Sequence, residues 1–333
     1  MTRLKAKDRR CVAADRETCA SAFRSVEFQA TLRSPVLLEG VGVHSGKPAR
    51  LSIYPAEADA GVSFARADCD AVSAALWSNV CATELCTSLR LGAGAVATVE
   101  HVMAALAGLA IDNAHVEIDG PEAPVLDGSA VAIVEAIDEA GVRALPAPRR
   151  RLEILKTVRV ERGAAFAELS PAEGGLTLDV EIDFTHAAIG RQRKRLALDA
   201  DSFRRELSRA RTFGFLRDIE RLWRAGFALG ASFENSIAIG EDGVLNPGGL
   251  RYRDEFVRHK MLDAVGDLAL AGAPISGLFR SRCGGHALNH AVLQALFADR
   301  SSWRLSGVQA ARRGEVRPDI GRFTQLALAP ERS

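Results

Sequence analysis

The stretch EFVRHKMLDAVGDLALAG, Glu255 to Gly272, places His259 and Asp263 four residues apart. On a helix that spacing stacks both side chains on one face, one turn apart, where they can share a metal ion. Asp267 extends the same face by another turn. Taken alone, a His-x3-Asp pair describes an ordinary side-chain hydrogen bond equally well. Glu100-His101, an acid beside a histidine at a helix start, adds what such a pair lacks. Hydrolytic zinc needs three protein ligands, an open position and a nearby general base. Two neutral imidazoles and one carboxylate leave the site net positive, which brings the pKa of a water there towards about 7. Glu100 is then placed to take that water's proton. In CGGHALNH, His286 follows two glycines, where backbone approaches a ligand closely. Amide cleavage needs a proton on the departing nitrogen, and a histidine beside a carboxylate such as Asp267 supplies one near neutral pH. His286 also suits a capping or core histidine, and His115 and His290 read as structural.

Two other stretches carry chemistry-bearing groups. GVGVHSGKPA, Gly40 to Ala49, sets His44 and Ser45 in a glycine-rich turn, an anion or sugar site or else a plain hairpin loop. SRARTFGFLRDIE, Ser208 to Glu220, gathers Thr212, Phe213, Phe215 and Leu216 among arginines, at a cleft or in ordinary core.

The elements that position these groups follow from periodicity. Thr98 to Leu109 puts Val99, Val102, Met103, Leu106 and Leu109 on one helical stripe, with Thr98 available as N-cap. Before it, Ser25 to Pro55 alternates short apolar runs with turn signals at Gly40, Gly42 and Gly46, as strands should. After it come a strand in NAHVEIDG, a turn-rich loop in PEAPVLDGSA and a helix from Ala130 to Ala140. LPAPRRR, Leu145 to Arg151, reads as an exposed linker with a boundary near Pro148. Beyond it, LEILKTVRVERG, AAFAELSP and LTLDVEIDF alternate as strands, and Asp201 to Ala210 and Phe256 to Leu270 read as helices. The repeated strands-then-helices order suggests two tandem related α+β domains, residues 26–147 and 152–310. Residues 1–25 read as an extension and 311–333 as a tail.

Composition narrows the function classes. The chain has 333 residues, 47% hydrophobic and 26% charged, average values for globular domains. With 43 basic and 42 acidic residues, the net charge of +1 gives no global field for nucleic acid or an anionic membrane. An aromatic content of 6% also argues against base stacking. The six cysteines form no CxxC pair, no signal peptide is evident, and no run of 18 apolar residues is free of charge. The expectation is a cytoplasmic enzyme.

Jointly, GVGVHSGKPA, TVEHVMAALAGLAIDNA, GPEAPVLDGSA, SRARTFGFLRDIE, DEFVRHKMLDAVGDL and GGHALNH resemble one family, from about Thr31 to about Phe297. It is the UDP-3-O-acyl-N-acetylglucosamine deacetylases of lipid A biosynthesis. The resemblance implies a hydrolase that removes acetate from the 2-amino group of a UDP-linked, 3-O-acylated glucosamine, using one Zn2+; a monomer is expected. A His, His, carboxylate set also accepts Fe2+. It implies an α+β fold of two domains, each a β-sheet layered on helices, with small inserts framing the active site. On the matching positions, His101, His259 and Asp263 are the implied ligands, Glu100 the base and His286 the acid oriented by Asp267. Thr212 and Lys260 are the implied oxyanion groups, Lys260 also facing the nucleotide. Val43, Phe184, Phe213, Phe215, Ile219 and Ala228 fall in segments resembling the family's acyl passage and its nucleotide contacts. Cys283 stands where a lysine would meet the substrate's diphosphate, and Arg282 beside it is the implied substitute. Ser236 and Ala238 change the wall of the passage. The rival readings are an amidase acting on another N-acyl sugar and a binding-only paralogue, though a binder has no need of a base and an acid.

Overall fold

The computed structural model describes residues 28–306, so the expected extension and tail lie outside the described residues. In the first half, strands β1 (Val36–Val41), β2 (Pro48–Pro55), β3 (Val62–Arg66) and β4 (Cys69–Ala74) precede helix α1 (Glu100–Gly108), strand β5 (Ala114–Asp119) and helix α2 (Val131–Ala140). The second half runs through β6 (Val158–Arg162), β7 (Ala165–Ser170), β8 (Leu176–Asp183) and β9 (Arg191–Ala197). Helix α3 (Glu255–Ala269), strand β10 (Ile275–Arg282) and helix α4 (His286–Ala298) complete it.

The two sheets are built alike. The first has the order β1-β2-β5-β3-β4, with β5 antiparallel to β2 and parallel to β3. The second contains β6-β7-β10-β8-β9, with β10 antiparallel to β7 and parallel to β8. In each, two hairpins flank a central strand that has one long helix before it and another after it. This α+β architecture carries the tandem similarity that no sequence repeat displays. The second sheet is extended by Arg151–Ile154 and Trp303–Ser306. Strand alternation explains the inner faces: Leu51, Ile53, Phe64, Val116 and Ile118 of one sheet, and Leu169, Leu178 and Phe279 of the other, are fully buried.

Helices α1 and α3 pack against each other more extensively than any other pair of helices. Both are buried along almost their entire length, as a helix between two other layers must be. Gly266 permits the approach, since a Cβ there would lie 1.9 Å from the Glu100 carbonyl oxygen. Gly108 makes equivalent room for the Phe203 ring, which lies 2.3 Å from where a Cβ would be.

Three local expectations change. Residues 145–148 are not an exposed linker. Val142–Pro148 is a strand antiparallel to Phe28–Leu32, with Leu145 and Ala147 buried. A two-stranded ribbon consists only of edges, so it tolerates Pro146 and Pro148. Thr98 does not cap α1: its φ is 57°, and its hydroxyl donates to Glu122 at 2.8 Å. The helix expected over 201–210 is a short α turn, Ala200–Ser202, that continues as a π turn, Phe203–Leu207.

Candidate functional site

The packing of α1 on α3 brings His101 to His259 and Asp263. Nε2 of His259 lies 3.4 Å from Asp263 Oδ1, and Nε2 of His101 lies 3.6 Å from the same oxygen. One donor atom from each of the three residues falls within 4.8 Å of the others, and all three residues are buried. Asp263 Oδ1 has no hydrogen-bond partner. An ionised oxygen buried without a donor is costly, and two imidazole nitrogens converging on it mark the place of a cation. The other oxygen, Oδ2, accepts from Lys260 Nζ at 2.8 Å. Nδ1 of His259 donates to the Ala210 carbonyl at 3.0 Å, which leaves the Nε2 lone pair for a metal. Burial, together with the charges of His101 and Lys260, pushes His259 down to about 3, so it stays neutral as a ligand must. Burial alone would raise the Asp263 carboxyl, but the charges around it, the Lys260 ammonium at 2.8 Å among them, hold it well below the usual carboxylate range.

A proton-handling pair flanks this set. Oε2 of Glu100 accepts from the Thr87 backbone N–H at 2.9 Å, while Oε1 lies 3.9 Å from Nε2 of His286. Burial raises the Glu100 carboxyl. His286, the first residue of α4, donates from Nδ1 to Asp267 Oδ2 at 2.8 Å. Asn289 Nδ2 donates to that same oxygen at 2.9 Å, and the Thr87 hydroxyl donates to Asp267 Oδ1 at 2.6 Å. Burial opposes charge on His286, but Asp267 and Glu100 outweigh it and raise the imidazole to about 9. A buried carboxylate and a histidine favoured in its protonated form thus face each other beside a candidate metal-binding triad, an arrangement suited to metal-assisted hydrolysis.

The family model for UDP-3-O-acyl N-acetylglycosamine deacetylase matches residues 29–298. This chain belongs to that family. UDP-3-O-acyl-N-acetylglucosamine deacetylases of Brucella ovis and Brucella suis are 51% identical to it over 281 residues, covering 84% of this chain and 98% of theirs. That of Brucella melitensis is 50% identical with the same coverage.

In this member of the deacetylase family, three of the expected apolar groups, Phe184, Phe213 and Phe215, form a run of ring contacts that reaches His259. The Phe213 ring centroid lies 6.2 Å from that of His259, 4.9 Å from Phe256 and 5.8 Å from Phe184. Phe184 is also 6.0 Å from Phe215. Ile219, half-buried, opens a short helix, Ile219–Arg224, four residues after Phe215 in the chain. Thr212 precedes Phe213, with its N–H donating to the Gly128 carbonyl at 2.7 Å. Val43 and His44 meet the second half through backbone bonds from Gly230 N–H to Val43 O at 3.0 Å and from Leu229 N–H to His44 O at 3.1 Å. The small space beside Asp263 is lined by Val180, Lys260, Ser281, Gly284 and Gly285.

Arg282 does not join this space. Its strand partner is Glu181, while Val180 and Ser281, one residue back on each strand, line the cavity. Alternation therefore turns Arg282 to the other face of the sheet, where its Nε lies 3.3 Å from Glu181 Oε1. Cys283, exposed and with φ 49°, leaves the strand. Thr87 and Asn289, which complete the environment of Asp267, escape sequence reasoning. Thr87 belongs to no motif, and only the one-turn spacing from His286 to Asn289 hints at the second.

Proposed function

We propose that this chain hydrolyses the 2-N-acetyl amide of UDP-3-O-acyl-N-acetylglucosamine in lipid A biosynthesis, using one zinc ion held by His101, His259 and Asp263. The observation that carries this reading is the unpartnered Asp263 oxygen, met by two imidazole nitrogens and flanked by Glu100 and His286. The same donor set accepts ferrous iron. Zinc in such a set supplies Lewis acidity for the amide carbonyl and lowers the pKa of water towards about 7.

The remaining work falls to the side chains. Glu100 takes the proton of the attacking water with Oε1, the oxygen not occupied by Thr87. Nε2 of His286 delivers a proton to the departing nitrogen, while Asp267 holds Nδ1 and fixes which nitrogen faces the substrate. Lys260 and Thr212 supply positive charge and a hydroxyl for the developing oxyanion. Phe184, Phe213, Phe215 and Ile219 shelter the acyl chain, and Val43 and His44 contact the sugar nucleotide. The two domains, 26–147 and 152–310, each contribute part of the site. No helix among the described residues is long and apolar enough to cross a membrane. We place the enzyme in the cytoplasm as a monomer that acts on a small-molecule substrate and not on nucleic acid.

The test is acetate release from the UDP-linked, acylated amino sugar by purified protein, alongside elemental analysis. Close to one zinc or iron per chain and turnover of that substrate are expected. Metal-loaded protein that leaves it intact, or cleaves free N-acetylglucosamine as fast, overturns the assignment.

A further inference from the structure

Glu122 lies in the loop between β5 and α2, is 1% exposed, and takes no part in the chemistry above. Its carboxylate accepts from three donors on two separate segments. The His44 N–H lies 3.1 Å from Oε1 and 3.2 Å from Oε2, and the Ser45 N–H lies 2.8 Å from Oε2. The Thr98 hydroxyl donates to Oε1 at 2.8 Å. These donors are neutral, so no cation offsets the burial of this acid through a direct hydrogen bond.

The surrounding backbone is shaped to admit it. Gly42 approaches so closely that a Cβ there would lie 2.2 Å from Glu122 Oε2. Thr98 takes a left-handed φ of 57°, a conformation a β-branched residue adopts only when its surroundings enforce it. Backbone bonds from Ala97 N–H to Pro121 O at 3.1 Å and from Ala123 N–H to Ala97 O at 3.0 Å hold the two segments in register. Thr98 lies two residues before Glu100 and three before His101, and the residue between, Val99, brings no side-chain cap to α1. On the other side, the 43–45 turn is held by Leu229 and Gly230 of the second half. Glu122 therefore sits where the start of the base-bearing helix meets the turn that carries Val43 and His44.

We propose that Glu122 is a positioning residue for the deacetylation, clamping the His44–Ser45 turn to the segment before α1 so that Val43 and His44 keep their place against the substrate. The inference rests on the deacetylase reading. A carboxylate suits the role because two oxygens can take three donors at once.

The experiment compares KM, kcat, metal content and thermal midpoint for wild type, Glu122→Ala and Glu122→Gln on the UDP-linked substrate. Charge-assisted hydrogen bonds of this kind correspond to about tenfold or more in KM for Glu122→Ala, with kcat changing far less and metal content unchanged. Glu122→Gln restores most of the loss, because its oxygen still accepts both N–H groups while its amide turns to the Thr98 hydroxyl. Should Glu122→Ala prove insoluble, Glu122→Asp, charged but one methylene short, carries the same expected rise in KM. An unchanged KM overturns the inference, as does a fall confined to kcat in proportion to lost metal, the mark of plain structural damage. Wild type that releases no acetate would sink the deacetylase reading instead.

Discussion

At 3.9 Å, the Glu100 carboxylate and the His286 imidazole each favour charge on the other, against the burial that penalises both. The consequence is a division of labour open to direct test. Glu100→Ala should retain its metal, because Glu100 is outside the ligand triad, yet lose roughly 10²–10⁴ in kcat, the usual worth of general base catalysis. Loss of metal in that variant would reassign the residue. His286, raised to about 9, is protonated at neutral pH, so activity that needs its proton declines as pH rises through about 9. Removing the Asp267 charge in Asp267→Asn should move that alkaline limb to lower pH, and a profile of kcat against pH with an unmoved limb would refute the donor role. Spacing alone made the His259–Asp263 pair visible, since the period of a helix is local. Thr87 and Thr98 could not be read so, because partners distant in the chain decide where their hydroxyls go. For Arg282, adjacency to Cys283 in the chain says nothing about which face of a strand it occupies, and pairing with Glu181 decides that.

Elements, rather than single residues, set the distance between Glu100 and the candidate metal ligands. Gly266 in α3 touches the Glu100 carbonyl of α1, so Gly266→Ala must force the two helices apart. Overpacking of this kind costs about 3 kcal/mol, which in a domain of this size lowers the melting temperature by about 10 °C. Calorimetry checks it, and an unchanged midpoint would mean that the helices are not in contact as described. The helices themselves were legible from apolar periodicity, and the long strands from alternation. The strand Val142–Pro148 was not, because two prolines and the arginines that follow have the composition of a linker. Leu145 and Ala147 carry the contrary signal, alternating inward through the prolines.

Across the whole molecule, the sequence suggested a repeated strands-then-helices order, whereas the shared hairpin, central strand and hairpin order of the two sheets is seen only in the pairing. Pairing geometry is preserved by backbone hydrogen bonds, which many side-chain sets satisfy. This arrangement divides the candidate metal set unequally, with His101 in one half and His259 and Asp263 in the other. His259→Ala should therefore lower metal content while leaving the two sheets folded; unchanged stoichiometry with circular dichroism like wild type would remove His259 from the set. The division also has a temporal consequence. During synthesis the first half emerges carrying a single donor, and even the complete third helix offers only a two-donor grip. Docking of α1 onto α3 closes a long loop, a step expected late in folding because its entropic cost comes before its contacts form. Under the proposed ligand set, a three-donor grip therefore forms only once the two halves have docked, not when either half has folded alone.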